Sequence, residues 1–494
     1  MAQVVLVYPI TGLDLKGVSV WLPLSVLNVA ATLADDYDVA IIDQRVDPDW
    51  RGALRAALNP DTLVVGISCM TGTQIRHGLE AARVVRDADP SIPIVWGGNH
   101  PTLLPQQTAE HPLVDCVVIG EGEHTFRAFV EAREADRGNG AWKRIGQIAF
   151  REHGTIVQHG ATGKEPFLDP DLLPPLPYHL VDVEQYVVNS FLFGKRVRSL
   201  PFISSTGCPF PCTFCCEPVL SSQRWRKMSA EVAFARVMSL VEKHRLDAVE
   251  FHDEEFFVDR RRGARIADMI GGRFQWYVQT RMDDLVALDE MVGLRTLESN
   301  GLRAVQPGLE TGSPRILKMI RKQETVADYR DANRRLARTA ISGTYNFMMG
   351  FPTETVDDLM ASVDLALEMM DANPNAHISG FFMYTPTPGA KLYELALQDG
   401  FRPPDRLEGW TAFNRQHLES PWIGERRDLL ETLLFTSKLV DGERIQAAFR
   451  NRPLVRRVLK RLGERYRRMW RRHAFRRSLD VRLLGKLARS YFGW

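Results

Sequence analysis

The nine residues Gly207-Cys208-Pro-Phe-Pro-Cys212-Thr-Phe214-Cys215 decide the reading of this chain. Three cysteines stand in a C-x3-C-x2-C spacing, with an aromatic residue just before the third. Thiolates so close on one loop can ligate three irons of a cubane cluster. The fourth iron then stays open, as a metal must when it also binds a substrate. Cys216 is not counted as a ligand, because adjacent residues rarely direct both side chains to one cluster. A structural zinc site is the competing reading, but it would show a second matched pair downstream, and none appears.

Outward from the loop, residues 199–400 alternate strands and helices. Strands are expected at Ser199–Thr206, Asp247–His252, Phe274–Thr280, Arg303–Leu309, Thr344–Gly350 and His377–Tyr384, with helices such as Ser229–Arg245 and Glu354–Asp371 between them. Six such repeats suffice for a partial (β/α)6 barrel and fall short of the eight of a closed one. Residues 1–150 show the same alternation. Strands are expected at Val4–Pro9, Asp38–Asp43, Thr62–Ser68, Pro93–Gly97 and Asp115–Gly120, and a helix at Thr73–Ala88. That pattern argues a doubly wound parallel, Rossmann-like sheet, whose ligands bind at the C-terminal strand ends. Residues 151–198, with the run Asp169-Pro-Asp-Leu-Leu-Pro-Pro-Leu-Pro177, read as a linker, and residues 401–494 as a helical region. The fold class is α/β.

The length of 494 residues is a prior for roughly three domains. Apolar content of 45% and charged content of 25% exclude global disorder and a fibre. No apolar run approaches the ~18 residues of a membrane span. The start MAQVVLVYPI lacks the basic region and cleavage site of a signal peptide, so a cytoplasmic location is expected. Six cysteines do not suggest a disulfide framework there. Cys69 and Cys116, alone in apolar stretches, read as small core residues.

The cluster loop at the mouth of a partial barrel resembles the radical S-adenosylmethionine (radical SAM) superfamily. The first domain is similar to a cobalamin-binding domain, so the cobalamin-dependent subgroup is the best match, over roughly residues 1–400. Gly97-Gly-Asn-His-Pro-Thr102, Val114–Glu123, Glu250-Phe-His-Asp-Glu-Glu-Phe256, Gly308-Leu-Glu310-Thr-Gly-Ser, Gly350-Phe-Pro-Thr-Glu354-Thr and Tyr384-Thr-Pro-Thr-Pro-Gly389 carry the resemblance further. It implies that Cys208, Cys212 and Cys215 hold a [4Fe–4S] cluster whose open iron chelates SAM. Phe214 would lie near the adenine, Asp253 and Glu254 near the methionine amine, and Arg281 and Glu310 near the carboxylate and ribose. Cobalamin would be held by Ser68, Met70, Thr71, Gly72 and Thr73, by Gly97, Gly98 and His100, and by Gly120, Glu121, Gly122 and Glu123. A lower-axial histidine would sit in a D-x-H-x-x-G loop. None occurs here, so cobalamin is expected to bind without one.

The activity so implied is transfer of a methyl group from methylcobalamin to an unactivated carbon of a small molecule, by way of a 5′-deoxyadenosyl radical. Such a carbon has no lone pair, so cofactors must carry the hard step. An electron donor of flavodoxin or ferredoxin type is implied as a partner. The same layout serves oxidative cyclases and ring-rearranging enzymes, in which no methyl moves. Two readings compete from other directions. A non-catalytic cobalamin sensor needs no cluster loop. RNA modification by methylthio transfer needs three N-terminal cysteines, and only Cys69 and Cys116 are there.

The net charge of +2 conceals an asymmetry. From Arg450 onward there are 16 Lys and Arg against two acids, Glu464 and Asp480. Leu454, Val458, Leu462, Tyr466 and Trp470 recur every four residues among the arginines, the pattern of an amphipathic basic helix. It can dock onto the acidic remainder of the chain or meet anionic lipid through a face including Trp470 and Phe475. Nucleic acid is not the expected partner, since arginine density alone argues for it. Trp410 and Trp422 are candidates to line the substrate space.

Overall fold

The structure is a computed structural model describing residues 2–12, 14, 20–137, 140–161, 168–190, 197–413, 420–441, 453–475 and 481. The chain divides into two compact units. One comprises Met1–Val187, Cys216–Arg226 and Arg402–Asn414; the other comprises Val188–Cys215, Lys227–Phe401 and Arg415–Trp494.

In the first unit, β1 (Val4–Tyr8), β2 (Val39–Asp43), β3 (Val64–Ser68), β4 (Ile94–Gly97) and β5 (Cys116–Val118) form a parallel sheet in the order β2-β1-β3-β4-β5. The β-branched runs suit strands covered on both faces. Val4, Leu6, Val64 and Val95 pack with Phe126, Phe129 and Leu33 in one core. Cys69 and Cys116 are fully buried, as small apolar residues. An antiparallel hairpin of β6 (Ile148–Glu152) and β7 (Thr155–His159) extends the sheet beyond β5.

The second unit carries six parallel strands, each paired with the next. They are β9 (Val197–Phe202), β10 (Ala248–Phe251), β11 (Gln275–Thr280), β12 (Leu302–Glu310), β13 (Ser342–Met349) and β14 (Ala376–Met383). The short β8 (Val188–Ser190) closes one edge antiparallel. Capping fixes the intervening helices. Ser229 and Asp259 cap Ala230–His244 and Arg260–Ile270, while Thr325 with Asp328 and Thr355 with Asp358 form capping boxes.

Beyond β14 the described residues include the helices Arg427–Val440 and Pro453–Arg471. The second docks through Tyr466 and Trp470, both fully buried. Trp470 donates to Thr436 Oγ1 at 3.0 Å and packs edge-on to Phe381, while Arg471 and His473 pair with Asp371 and Asp364. The expected outward face through Trp470 is therefore not there. An indole with a buried hydroxyl acceptor gains more by packing inward. No helix among the described residues is long and apolar enough to cross a membrane.

Candidate functional site

The loop Cys208–Cys215 follows β9 and is held at several points. Thr213 N–H donates to the Ile320 carbonyl at 2.9 Å, its hydroxyl to that of Met319 at 3.2 Å, and its own carbonyl accepts from Leu392 N–H at 2.7 Å. The guanidinium of Arg281 lies 4.0 Å from the centre of the Phe210 ring. That guanidinium is fully committed, through Asp283 and the carbonyls of Lys322 and Gln323. Lys322 is itself buried, 3.4 Å from Glu310 and 3.6 Å from Glu324. Burial pushes the Cys212 thiol up, and the neighbouring Lys322 and Arg281 charges pull it back. Glu310 and Glu324 add to the rise, and the thiol stays above its ordinary value. No three His, Cys, Asp or Glu side chains among the described residues gather around a single ion, as a tetrahedral zinc requires. A cubane instead takes one thiolate on each of three irons, and Cys208, Cys212 and Cys215 stand half-buried as thiols on this loop.

The other expected SAM contacts divide. Phe214 faces Phe351, which stacks on Tyr384. Glu310 ends β12 at a bulge, with φ +63° and its carboxyl raised by burial. Glu254 is exposed. Asp253 is engaged elsewhere: its oxygens accept from Ser204 N–H at 2.8 Å, Ser204 Oγ at 2.7 Å and Ser205 Oγ at 2.5 Å. Arg281 thus holds the Lys322–Gln323 backbone and Asp253 the Ser204–Ser205 turn that leads into the loop.

In the first unit the strand ends of β3, β4 and β5 lie side by side. A Cβ on Gly97 would meet nothing nearer than Val118 at 3.9 Å, so the end of β4 opens onto free space. Met70, on the adjoining loop, is exposed. Gly98 has φ +98°, and a Cβ there would come within 2.8 Å of the Cys69 carbonyl; only glycine permits this approach of two loops. Thr71 and Thr73 are half-buried, and Ser68 bonds Ser25 at 2.8 Å. Gly97 and Gly98 thus edge the C-terminal strand ends, where a parallel sheet binds its ligands. His100 is not part of the opening. It is fully buried, meets Thr71 Oγ1 at 3.0 Å, and is held neutral by burial, with a pKa lowered to about 4. Gly72 is closed off by the Phe413 carbonyl, 2.6 Å from where its Cβ would stand. Glu121 pairs with Arg226 and accepts from Leu168 N–H, beside Gly120 and Gly122. Burial and Glu121 raise Glu123 to about 7.

Residues 11–130 match the model of the B12 binding domain, and residues 202–366 that of the radical SAM superfamily. The chain belongs to the cobalamin-binding radical SAM enzymes. It is 27% identical over 402 residues to an uncharacterized methyltransferase of Pyrococcus horikoshii, covering 80% of this chain and 83% of that one. It is also 27% identical over 385 residues to the anaerobic magnesium-protoporphyrin IX monomethyl ester cyclase of Rubrivivax gelatinosus, covering 76% and 66%. It shares its fold with the cobalamin-dependent S-adenosylmethionine radical enzyme OxsB, solved with aqua-cobalamin and S-adenosylmethionine bound. There the TM-score is 0.72 at 14% identity, covering 99% of this chain and 75% of that one.

Sequence reasoning missed three parts of this radical SAM enzyme. Lys322 and Glu324 complete the charged cluster behind the loop; Glu324 also accepts from Met282 N–H at 2.8 Å. Residues Arg402–Asn414 belong to the cobalamin-type unit. Trp410, instead of lining open space, donates to Gln107 at 2.7 Å and packs against His100. Trp422 donates to the Gly350 carbonyl at 2.8 Å. A tryptophan with one polar partner in an otherwise irregular stretch is the only signal these segments carry.

Proposed function

We propose that this enzyme transfers a methyl group to an unactivated carbon of a small biosynthetic molecule. The observation that carries the reading is the C-x3-C-x2-C loop at the strand ends of a partial barrel in a chain that also has a B12-binding domain. The methyltransferase relative supports it over the longer share of both chains.

When bound, the [4Fe–4S] cluster with SAM supplies hydrogen abstraction, and cobalamin supplies the methyl group. The chain's own residues do the rest. Cys208, Cys212 and Cys215 hold the cluster, with Lys322 and Arg281 offsetting its negative charge. Phe214 presents its ring to the adenine. The Glu310 carboxyl, on its bulge, serves the ribose, and the exposed Glu254 the methionine amine. Asp253 positions the Ser204–Ser205 turn that launches the loop. Ser68, Met70, Thr71, Thr73, Gly97 and Gly98, with Gly120–Glu123, would hold the cobalamin. A reducing cytoplasm and a flavodoxin- or ferredoxin-type donor fit this chemistry.

Anaerobic reconstitution with iron, sulfide and cobalamin, followed by an absorbance spectrum, reports cluster and corrinoid separately. With substrate, methylation yields equal 5′-deoxyadenosine and S-adenosylhomocysteine per product. Deoxyadenosine without S-adenosylhomocysteine, and a product no heavier by a methylene, would instead establish the cyclisation for which the Rubrivivax relative is named.

A further inference from the structure

The apolar stripe of the helix Pro453–Arg471 changes its surroundings half-way along. Tyr466 and Trp470 are fully buried, whereas Leu454 is 74% and Val458 57% exposed. At 3.6 residues per turn, Arg457, Val458, Arg461 and Arg465 all fall within about 60° of Leu454 around the helix axis. Guanidinium groups therefore edge the exposed stripe on its own face. Arg457 and Arg461 are exposed, and among the described residues neither meets a carboxylate. Arg471, at the docked end, does meet one, in Asp371.

We infer that the two turns around Leu454 and Val458 are a docking surface for an anionic lipid bilayer. An aqueous surface gives no reason to keep two branched apolar side chains exposed among arginines. A bilayer interface does: the apolar tips enter the acyl boundary, the arginine stems bury their methylenes, and the guanidinium heads reach lipid phosphates. The charge fits, with 16 bases against two acids from Arg450 onward. The anchor fits as well. Trp470 fixes the far end of the same helix on the barrel unit, so the exposed turns are presented in one orientation. A nucleic acid would be served by the arginines alone and leaves Leu454 and Val458 unexplained. The inference is independent of the reaction proposed above.

The test is co-sedimentation of the full chain with phosphatidylcholine vesicles, with and without phosphatidylglycerol. Binding is expected only with the anionic lipid, and should weaken at least about tenfold between about 0.1 and about 0.5 M salt. Leu454→Asp with Val458→Asp, and separately Arg457→Glu with Arg461→Glu, should each weaken it at least about fivefold. Their thermal melts should match that of the parent chain, since the altered groups are exposed. No binding to anionic vesicles overturns the inference, and so does binding that ignores both pairs of substitutions. Two further results would reassign the surface: tighter binding to duplex DNA that survives Leu454→Asp with Val458→Asp, or a dimer in solution that those changes abolish.

Discussion

Arg281 places its guanidinium 4.0 Å from the Phe210 ring centre while three acceptors hold it from the rim: Asp283 at 2.9 Å, the Lys322 carbonyl at 2.9 Å and the Gln323 carbonyl at 3.2 Å. Phe210 lies between Cys208 and Cys212, so this contact tethers the stretch of loop that joins them. A lysine keeps the charge but lacks the flat face and the in-plane fork. Arg281→Lys should therefore cut iron per chain after reconstitution several-fold. Phe210→Leu, which removes a cation–π contact of about 1 kcal/mol, should do so less. Iron and sulfide analysis measures both. A fully loaded Arg281→Lys protein would refute the positioning role.

The cysteines themselves separate by environment. Cys216 begins the segment Cys216–Arg226, which belongs to the other unit, and burial raises its thiol to about 11. Cys208, Cys212 and Cys215 belong to the second unit, so Cys216 is set apart from them by its place in the fold. Alanine at Cys208, Cys212 or Cys215 should each abolish the iron–sulfur absorbance, while Cys216→Ala should retain it. Loss of the cluster in Cys216→Ala would require a different ligand set.

What the sequence makes legible depends on range. The β-branched runs and the cysteine spacing are local, and all eleven expected strands are present. The hairpin of β6 and β7 turns at His153-Gly154, both with positive φ, inside the stretch read from the sequence as a linker. The contact of Lys322 with Glu310 is different in kind. It needs the bulge at the end of β12 and the left-handed conformation of Glu310, neither of which a side-chain pattern encodes. Trp410 reaches Gln107 across 303 residues, a pairing that only the folded chain creates. Asp253 shows the converse. Its position at a strand end is legible, yet three hydrogen bonds give it a structural task that position alone does not reveal.

Glu354 gives a pH signature. It is buried, accepts from Gly350 N–H at 2.6 Å through one oxygen, and among the described residues has no hydrogen-bond partner for the other. Burial raises its pKa from 4.5 to about 8. Folded and protonated but unfolded and ionised, it binds more protons in the native state between those two values. Stability conferred around this residue therefore falls as pH rises through that window. Glu354→Gln removes the titration, and should flatten the slope by up to about 1.4 kcal/mol per pH unit. The urea midpoint of the transition that unfolds the barrel unit, taken at both ends of the window for both proteins, measures this. Parallel slopes would mean that the carboxyl is already ionised in the fold.

The two halves of the helix Pro453–Arg471 should respond oppositely to truncation. Trp470 is fully buried, donates to Thr436 and packs against Phe381, so Trp470→Ala removes a large contact and leaves the hydroxyl acceptor unmet. Truncations of this kind cost about 3–5 kcal/mol in a core. Leu454, mostly exposed, should cost under about 0.5 kcal/mol. Global unfolding of a chain with two compact units is not two-state, so the local quantity to follow is hydrogen exchange within this helix. In a folded protein most of a helix's stability comes from packing of its apolar face, and here Tyr466 and Trp470 supply that packing. Trp470→Ala should therefore bring its amides towards the exchange rates of an undocked helix, at least about a hundredfold faster. Leu454→Ala should leave them protected. Equal protection in both variants would place the anchor of this helix somewhere other than Trp470.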